Sequence, residues 1–313
     1  MLSDHFTVNL IYDKKSMKSS FWNSGIVLLF ILLPAGVSAQ QLTPQWEELT
    51  ASDWERALSA SDSTCILPLG ILEKHGPHAP MGSDLIVARR LALEAAGREY
   101  AVVFPPFYFG QVHEAKHLGG TFSLSSDLLW ELLKETVDEI ARNGFNKIVL
   151  VNGHGGNNYL LPYFVQSQLE EDKNYVTYLY STERSPEQTE KVNALRKSDP
   201  SRDMHAGEGE TSLLLHLRPD LVKLDEATRE SGADQDRLDL PESLYTGIWW
   251  YARFPLHYAG KAEVATAELG KLMFDYRVKS LVKALGDVKN DHTTRIIQQE
   301  YFNKVEEPSP QGH

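Results

Sequence analysis

The stretch Cys65-Ile-Leu-Pro-Leu-Gly-Ile-Leu72 leads directly into Glu73-Lys-His75-Gly-Pro-His78, and Asp84 follows shortly after. The apolar run has the length and composition of a buried strand. In open parallel α/β sheets, ligands bind just beyond the carboxyl ends of the strands. The carboxylate of Glu73 and the imidazole of His75 can point into one crevice there. The stretch therefore predicts a metal-dependent hydrolase, with Asp84 either a third ligand or a cap of the next helix.

Apolar runs alternate with helical patterns along the middle of the chain. The predicted strands are 65–72, 101–105, 147–151 and 175–180. The predicted helices are 84–98, 125–143, 157–171, 187–197, 208–217 and 262–285. Strands that alternate with helices of this length indicate βαβ units and a mostly parallel sheet covered on both faces. The segment 225–260 is irregular and aromatic.

The N-terminal segment has the pattern of a secretory signal. Lysines at positions 14, 15 and 18 precede the apolar run Ile26–Leu33, and small residues end at Ala39. The run is too short to span a bilayer, which takes about 20 apolar residues. We therefore expect residues 1–39 to be a cleaved signal peptide with Met17 as the initiator. The mature protein would be periplasmic or secreted, without a stable membrane anchor.

Length and composition limit the remaining chain. Residues 40–305 suit a single catalytic domain, and 306–313 resemble a flexible tail. The formal net charge of −12, with no basic stripe, argues against a nucleic-acid or anionic-membrane partner. Cys65 is the single cysteine, so an intramolecular disulfide is impossible, and we expect it to be buried in its strand.

A second motif, Asn152-Gly-His154-Gly-Gly-Asn157, directly follows the buried run Ile148–Val151. It therefore lies at the ligand-binding edge of the sheet. His154 is a ligand or a general acid–base there, and the alternatives are a structural turn or a phosphate cradle. The spacing matches neither the dinucleotide nor the P-loop fingerprint. Asn157 is the expected N-cap of the next helix.

The third motif, His205-Ala-Gly-Glu208-Gly-Glu210-Thr-Ser212, begins a helix. The helix dipole favours acidic residues in the first turn, which accounts for Glu208. It accounts less well for Glu210, because Glu210 and His205 flank a glycine turn that faces the same edge as the other motifs. We therefore treat His205 and Glu210 as candidate site residues.

Together these motifs resemble the creatininase (creatinine amidohydrolase) family, from about residue 65 to about residue 285. The residues that carry the resemblance are Gly70–Pro80 with Asp84, Gly120-Thr121, Asn152–Asn157, His205–Ser212 and Ala265–Gly270. The resemblance implies a three-layer α/β/α fold, a binuclear metal site and often a homo-hexamer.

The resemblance also implies roles for individual residues. Glu73, His75, Asp84 and His154 match the family's metal ligands, with Asp84 bridging two ions. His205 matches the histidine thought to act as acid and base. In this interpretation His205 gives a proton to the leaving nitrogen, which departs poorly as an anion.

Two departures from creatininase itself are visible. Gly156 stands where creatininase has a metal-binding glutamate, and Arg202-Asp203-Met204 replaces the tryptophan and acidic residues before His205. The first leaves Glu210, or else Glu208, to complete the second metal site and makes Glu210 a candidate catalytic residue. The second argues against creatinine as the substrate.

The sequence thus predicts an exported amidohydrolase that uses two divalent ions (Zn, Mn or Fe) to cleave a small cyclic amide, formamide or similar molecule. The alternatives are a non-catalytic metal-containing binding or scaffolding protein and a peptide-trimming peptidase. A sugar- or phosphate-ester enzyme is a further class, but few lysines and arginines lie near the motifs.

Further candidates have lesser roles. His78 is a candidate for orienting Glu73 or His75. A substrate pocket is expected to include His113, Glu114 and His117, and Gly155 and Glu208 are candidates for supporting contacts. Buried packing is the expected fate of Trp249 and Trp250, with a pocket wall or an oligomer contact as the alternatives.

Overall fold

The computed structural model describes residues 42–241 and 243–307. The predicted signal peptide, 1–39, lies outside the described residues, as does most of the predicted tail. The tail's first residue, Glu306, is the last residue of a helix. The predicted domain boundaries therefore stay predictions.

Four parallel strands form the sheet, in the order β2-β1-β3-β4. They are β1 (Thr64–Leu69), β2 (Val102–Val103), β3 (Lys147–Asn152) and β4 (Val176–Tyr180). All four lie within or beside the predicted strand segments. Strand β2 is short because Pro105 and Pro106 cannot donate to a ladder. Leu69 pairs with Asn152, so β1 and β3 end side by side.

Helices cover both faces of the sheet, as predicted for a three-layer α/β/α fold. Side chains of β1 alternate between two cores: Ile66 packs with α2, α6 and α8, whereas Cys65 and Leu67 pack with α1, α3 and α4. The helices are α1 (Trp54–Ala60), α2 (Ser83–Ala96), α3 (Ser126–Arg142), α4 (Leu160–Ser167), α5 (Pro186–Leu195), α6 (Glu208–Leu217), α7 (Trp249–Arg253), α8 (Ala267–Lys289) and α9 (Thr293–Glu306). None of the helices in the described ranges is long and apolar enough to span a bilayer.

Three of these helices, α1, α7 and α9, are absent from the sequence predictions. Helix α9 buries only Phe302, so its apolar periodicity is weak. The expected cap at Asn157 is wrong, because Tyr159 precedes α4. Asn157 is buried instead, and its side chain accepts a hydrogen bond from the backbone N–H of Gln111 (3.1 Å).

Candidate metal centre

Four buried side chains meet where β1 and β3 end: Glu73, His75, Asp84 and His154, which we call the strand-edge cluster. Asp84 lies between the two imidazoles. Its Oδ1 is 3.2 Å from Nε2 of His75, and its Oδ2 is 3.1 Å from Nδ1 of His154. Oε1 of Glu73 is 3.0 Å from the same His154 nitrogen. One shared carboxylate thus connects both histidines.

A glycine brings Asp84 to this edge. Helix α2 begins against the end of β1, at Gly70. A Cβ atom at position 70 would lie 2.5 Å from the backbone nitrogen of Leu85, which no real Cβ contact allows. The close approach of helix and strand therefore requires glycine there.

Three histidines are each held in a tautomer that leaves one ring nitrogen without a proton, which we call the bare nitrogen. Nδ1 of His75 donates to the Glu73 carbonyl (3.2 Å), and Nε2 of His154 donates to the Gln111 carbonyl (2.7 Å). Nε2 of His205 likewise donates to the Lys74 carbonyl (2.9 Å). A carbonyl only accepts, so in each neutral imidazole the other nitrogen has a free lone pair. Metal-binding histidines are commonly oriented in this way.

The two buried carboxylates of the strand-edge cluster favour positive charge between them. Oε1 of Glu73 and Oδ2 of Asp84 are buried, and neither has a hydrogen-bond partner within the described ranges. Burial opposes charging of these histidines, yet Asp84 and Glu73 raise the pKa of His75 to about 9. Burial alone would also raise the pKa of Glu73, but His154 and His205 hold that pKa well below its usual value. Carboxylates and bare imidazole nitrogens in this arrangement fit Zn²⁺, Mn²⁺ or Fe²⁺.

Four further residues, His205, Glu210, Trp250 and His257, form what we call the loop cluster. The backbone of His205 pairs with Ala259 through two hydrogen bonds of 3.0 Å. Oε2 of Glu210 accepts a hydrogen bond from the backbone N–H of Ala206 (2.6 Å) and lies 3.8 Å from Nδ1 of His205. The same Glu210 oxygen is 4.0 Å from Nε2 of His75, so the two clusters adjoin.

The sequence analysis missed His257. The Trp250 indole N–H donates to Nδ1 of His257 (2.7 Å), so Nε2 carries the proton and donates to Oε2 of Glu73 (2.5 Å). Burial lowers the pKa of His257 to about 4, which keeps the ring neutral. His257 therefore holds Glu73 rather than a metal. Its left-handed backbone (φ 54°) is uncommon for a non-glycine residue, but the sequence gives no sign of it.

Two of the sequence-predicted supporting residues point elsewhere. His78 forms no hydrogen bond with the side chain of Glu73 or His75: its Nε2 donates to the hydroxyl of Thr211 (2.8 Å), which in turn donates to the Ala206 carbonyl (3.1 Å). It thus steadies the loop after His205. Glu208 is fully buried away from both clusters, where it accepts the backbone N–H groups of Lys197 and Ser198 (both 2.8 Å).

A large cavity of about 1610 Å³, the aromatic cavity, opens onto both clusters. Its wall includes candidates from the sequence: His113, Glu114, His117, Gly155, Trp249 and Trp250. His117 is held there by a hydrogen bond from its Nε2 to the Pro255 carbonyl (2.8 Å). The expectation of plain buried packing for the two tryptophans was therefore wrong.

Gly156 occupies a crowded position. A Cβ atom there would lie 2.4 Å from Nε2 of His154 and 2.5 Å from the Gln111 carbonyl oxygen. Any side chain at 156 would thus break the hydrogen bond that orients His154. The glutamate that creatininase has at this point is excluded by this local geometry.

Comparison with known proteins gives the family. Residues 47–285 match the family Creatininase, described as creatinine amidohydrolase. The chain belongs to the creatininase family. Creatinine amidohydrolase of Pseudomonas putida is 28% identical, over 76% of this chain and 94% of that protein. The mycofactocin precursor peptide peptidase of Mycolicibacterium smegmatis is 31% identical, over 70% of this chain and 83% of that protein.

Solved structures agree on the fold of this creatininase-family protein. A crystal structure of creatinine amidohydrolase superposes with a TM-score of 0.68 at 24% identity, over 80% of this chain and all of that chain. The predictions of family, of a three-layer α/β/α fold and of a hydrolase acting on carbon–nitrogen bonds are confirmed. The family membership and the candidate ligand groups also support the predicted metal dependence.

Proposed function

We propose that this protein is a two-metal amidohydrolase of small amides, in which the strand-edge cluster and Glu210 hold the ions. The observation that carries this proposal is the pair of buried, unpartnered carboxylate oxygens facing bare imidazole nitrogens. Such an arrangement of lone pairs is costly unless a cation lies between them.

Two groups of donor atoms support two ions. Glu73, Asp84 and His154 form one group within ligand distance, and His75 and Glu210 belong to a second group, which also includes His205. A third group, Glu73 with His205 and His257, is set aside because Nε2 of His257 carries the proton that it donates to Glu73. In this proposal His205 stays free of metal and moves protons instead. Because the two oxygens of Asp84 face His75 and His154 separately, Asp84 is the residue suited to bridge them. When bound, the divalent ions would polarise the amide carbonyl and activate water.

His205 is the residue suited to move protons. Its Nε2 is fixed by the Lys74 carbonyl, whereas its Nδ1 lies 3.8 Å from Glu210, and the ring lines the aromatic cavity. His205 can therefore take a proton at Nδ1 and deliver it to the leaving nitrogen of an amide. Glu210 would stabilise the charged imidazolium during that transfer.

Two substrate classes fit the site. The family and its ligand set favour small amides such as cyclic amides or formamides, while the altered residues at 156 and 202–204 argue against creatinine. The volume of the aromatic cavity, about 1610 Å³, supports a second candidate, the trimming of a peptide. The similar mycofactocin precursor peptide peptidase adds to this second candidate.

An activity screen tests the proposal. Protein reconstituted with Zn, Mn or Fe is assayed against lactams, cyclic ureides, formamides and short peptides, with H205Q as the matched inactive control. Turnover of one class by the wild type alone supports the proposal. A metal-loaded protein that hydrolyses none of these classes, or H205Q with wild-type turnover, would contradict it.

We also propose that the enzyme is exported after cleavage near Ala39 and that it forms a homo-oligomer. The signal pattern of residues 1–39 and the family resemblance support these two points. Mass spectrometry of the secreted chain and light scattering of the purified protein test them. An N-terminus upstream of Met17, or a monomer at micromolar concentration, would contradict them.

A further inference from the structure

A second cavity adjoins the strand-edge cluster, with a volume of about 520 Å³. We call it the arginine cavity, after Arg277 of α8 in its wall. Asp84, His154 and Glu210 line this cavity as well as the aromatic cavity. A molecule whose reacting group lies at the proposed metal site could therefore extend into the arginine cavity.

Arg277 has an unusual position for a cation. It is partly buried, and across the described residues its guanidinium forms neither a hydrogen bond nor an ion pair. Several other partly buried cations are paired, among them Arg196 with Asp203 at 2.6 Å and Lys147 with Asp62 at 2.7 Å. Removing a charge from water without a partner is costly, so Arg277 needs an anion.

The surrounding charges do not supply that anion. Burial lowers the pKa of Arg277, and the neighbouring positive charge of Arg184 lowers it further. Glu210 is the carboxylate whose charge acts on Arg277, but its Oε2 is bound to the Ala206 N–H. Arg277 and Arg184 thus place positive charge near this cavity in a chain whose net charge is −12.

The rest of the wall offers neutral polar groups. Ser181 and Thr182, just after β4, line the arginine cavity together with Asn152 and Asn158. Hydroxyl and amide groups can donate to an anion beside a guanidinium, as in many carboxylate and phosphate sites.

We propose that the arginine cavity binds an anionic group of the substrate, a carboxylate or a phosphate, with Arg277 as its principal donor. The substrate would then be an amide whose cleaved bond lies at the metal site and whose negative group lies at Arg277. This assignment rests on the proposed amidohydrolase function, but it can be tested by binding alone.

The test uses three matched acetamides as probes of the metal-loaded holoenzyme: N-acetylglycine, N-acetylethanolamine phosphate and the neutral N-acetylglycinamide. Isothermal titration calorimetry at constant ionic strength compares the wild type with R277Q and R277K. The control is R90Q, which removes an exposed arginine paired with Glu94. Sedimentation of each variant reports its oligomeric state.

We expect the wild type and R90Q to bind at least one anionic probe about tenfold to a hundredfold more tightly than the neutral probe. R277Q should lose this preference, and R277K should keep part of it. The better anionic probe then separates carboxylate from phosphate recognition.

The proposal is overturned if R277Q binds the anionic probes as the wild type does, because the metals alone would then hold them. It is also overturned if R277Q changes the oligomeric state but not the preference, since Arg277 would then pair with a partner subunit. Failure of the proposed function is a separate result: no amide is hydrolysed, while the binding difference remains.

Discussion

The strand-edge cluster and the loop cluster meet at Glu73, but different kinds of backbone structure position their residues. Glu73, His75 and His154 directly follow β1 and β3, whose paired ends fix their positions. His205 and His257 instead come from irregular segments joined by the backbone pairing of His205 with Ala259.

This difference suggests a division of labour. The strand-edge cluster is buried, and three of its four residues follow paired strand ends, an arrangement suited to a metal site. The loop cluster is less enclosed, because the carboxylate of Glu210 is half-exposed beside the buried rings of His205 and His257. We infer that the first cluster, together with Glu210 of the second, holds the ions, and that the remaining residues of the second handle protons and substrate.

The largest effect is expected for Asp84→Asn, which breaks the strand-edge cluster. The amide cannot supply two anionic oxygens to His75 and His154, so both ions should be lost. We expect kcat/KM to fall by at least the 10²–10³-fold that follows loss of one electrostatic stabiliser. Steady-state kinetics on the best amide measures this, with the exposed Asp127→Asn as control; activity within tenfold of wild type would refute the bridging role.

His205→Gln tests the loop cluster in the same assay. Loss of a general acid–base should reduce kcat by about 10²–10⁴-fold. Metal content should stay at the wild-type level, because the proposed ligands are untouched. If the variant is instead stripped of metal, His205 is a ligand and the division of labour fails.

His257→Ala breaks the link between the clusters. Without the hydrogen bond to Oε2 of Glu73, metal affinity should fall about 10–100-fold. Trp250→Phe should have a smaller effect in the same direction, since it removes only the donor that sets the His257 tautomer. Competition with a chelator measures both variants, and Trp249→Phe is the control; unchanged affinity in His257→Ala would show that Glu73 needs no support.

A neighbouring glycine pair tests the packing around His154. Gly156→Ala should destabilise the protein by about 1–3 kcal/mol, because its Cβ would collide with the His154–Gln111 hydrogen bond. Gly155→Ala should be nearly neutral, since nothing lies within 4 Å of a Cβ there. Chemical denaturation measures both; equal effects would mean that the crowding at 156 is relieved by movement.

The stability of the metal-free protein should depend on pH through its buried histidines. The folded-state pKa of His75 is about 9, above its ordinary value of 6.5, so its stabilisation is present below pH 6.5 and lost as pH rises towards 9. The pKa values of His78 and His257 are about 4, so their contribution is lost as pH falls from 6.5 towards 4.

Stability without metal should therefore peak near pH 6.5, the ordinary histidine value. Saturating metal should remove the decline on the alkaline side, because bound histidines are already deprotonated. Denaturant titrations across pH measure this; a metal-free protein that gains stability up to pH 9 would contradict the charge balance of the strand-edge cluster.

The strands, and the site residues that follow them, could be predicted from the sequence because they depend on local pattern. The apolar runs of β1 and β3 predicted which side chains would share an edge. The sequence does not distinguish a helix cap from a metal ligand at Asp84. Only its distances to His75 and His154, which lie on neighbouring elements, distinguish the two roles.

The contacts that the sequence did not predict depend on tertiary structure. The hydrogen bonds of His78 to Thr211 and of Glu208 to the backbone at 197–198 follow from loop conformations with no sequence signature. His257 lies in an aromatic segment without periodicity, so its contact with Glu73, far away in the chain, could not be foreseen.

We propose above that the strand-edge cluster, with Glu210, holds two ions bridged by Asp84. The most direct test of this proposal is the metal content of wild type and Asp84→Asn, measured by inductively coupled plasma mass spectrometry after loading and dialysis. We expect two equivalents of Zn, Mn or Fe per wild-type chain and none in the variant. A wild-type chain that retains no metal, or a variant that retains two ions, would contradict it.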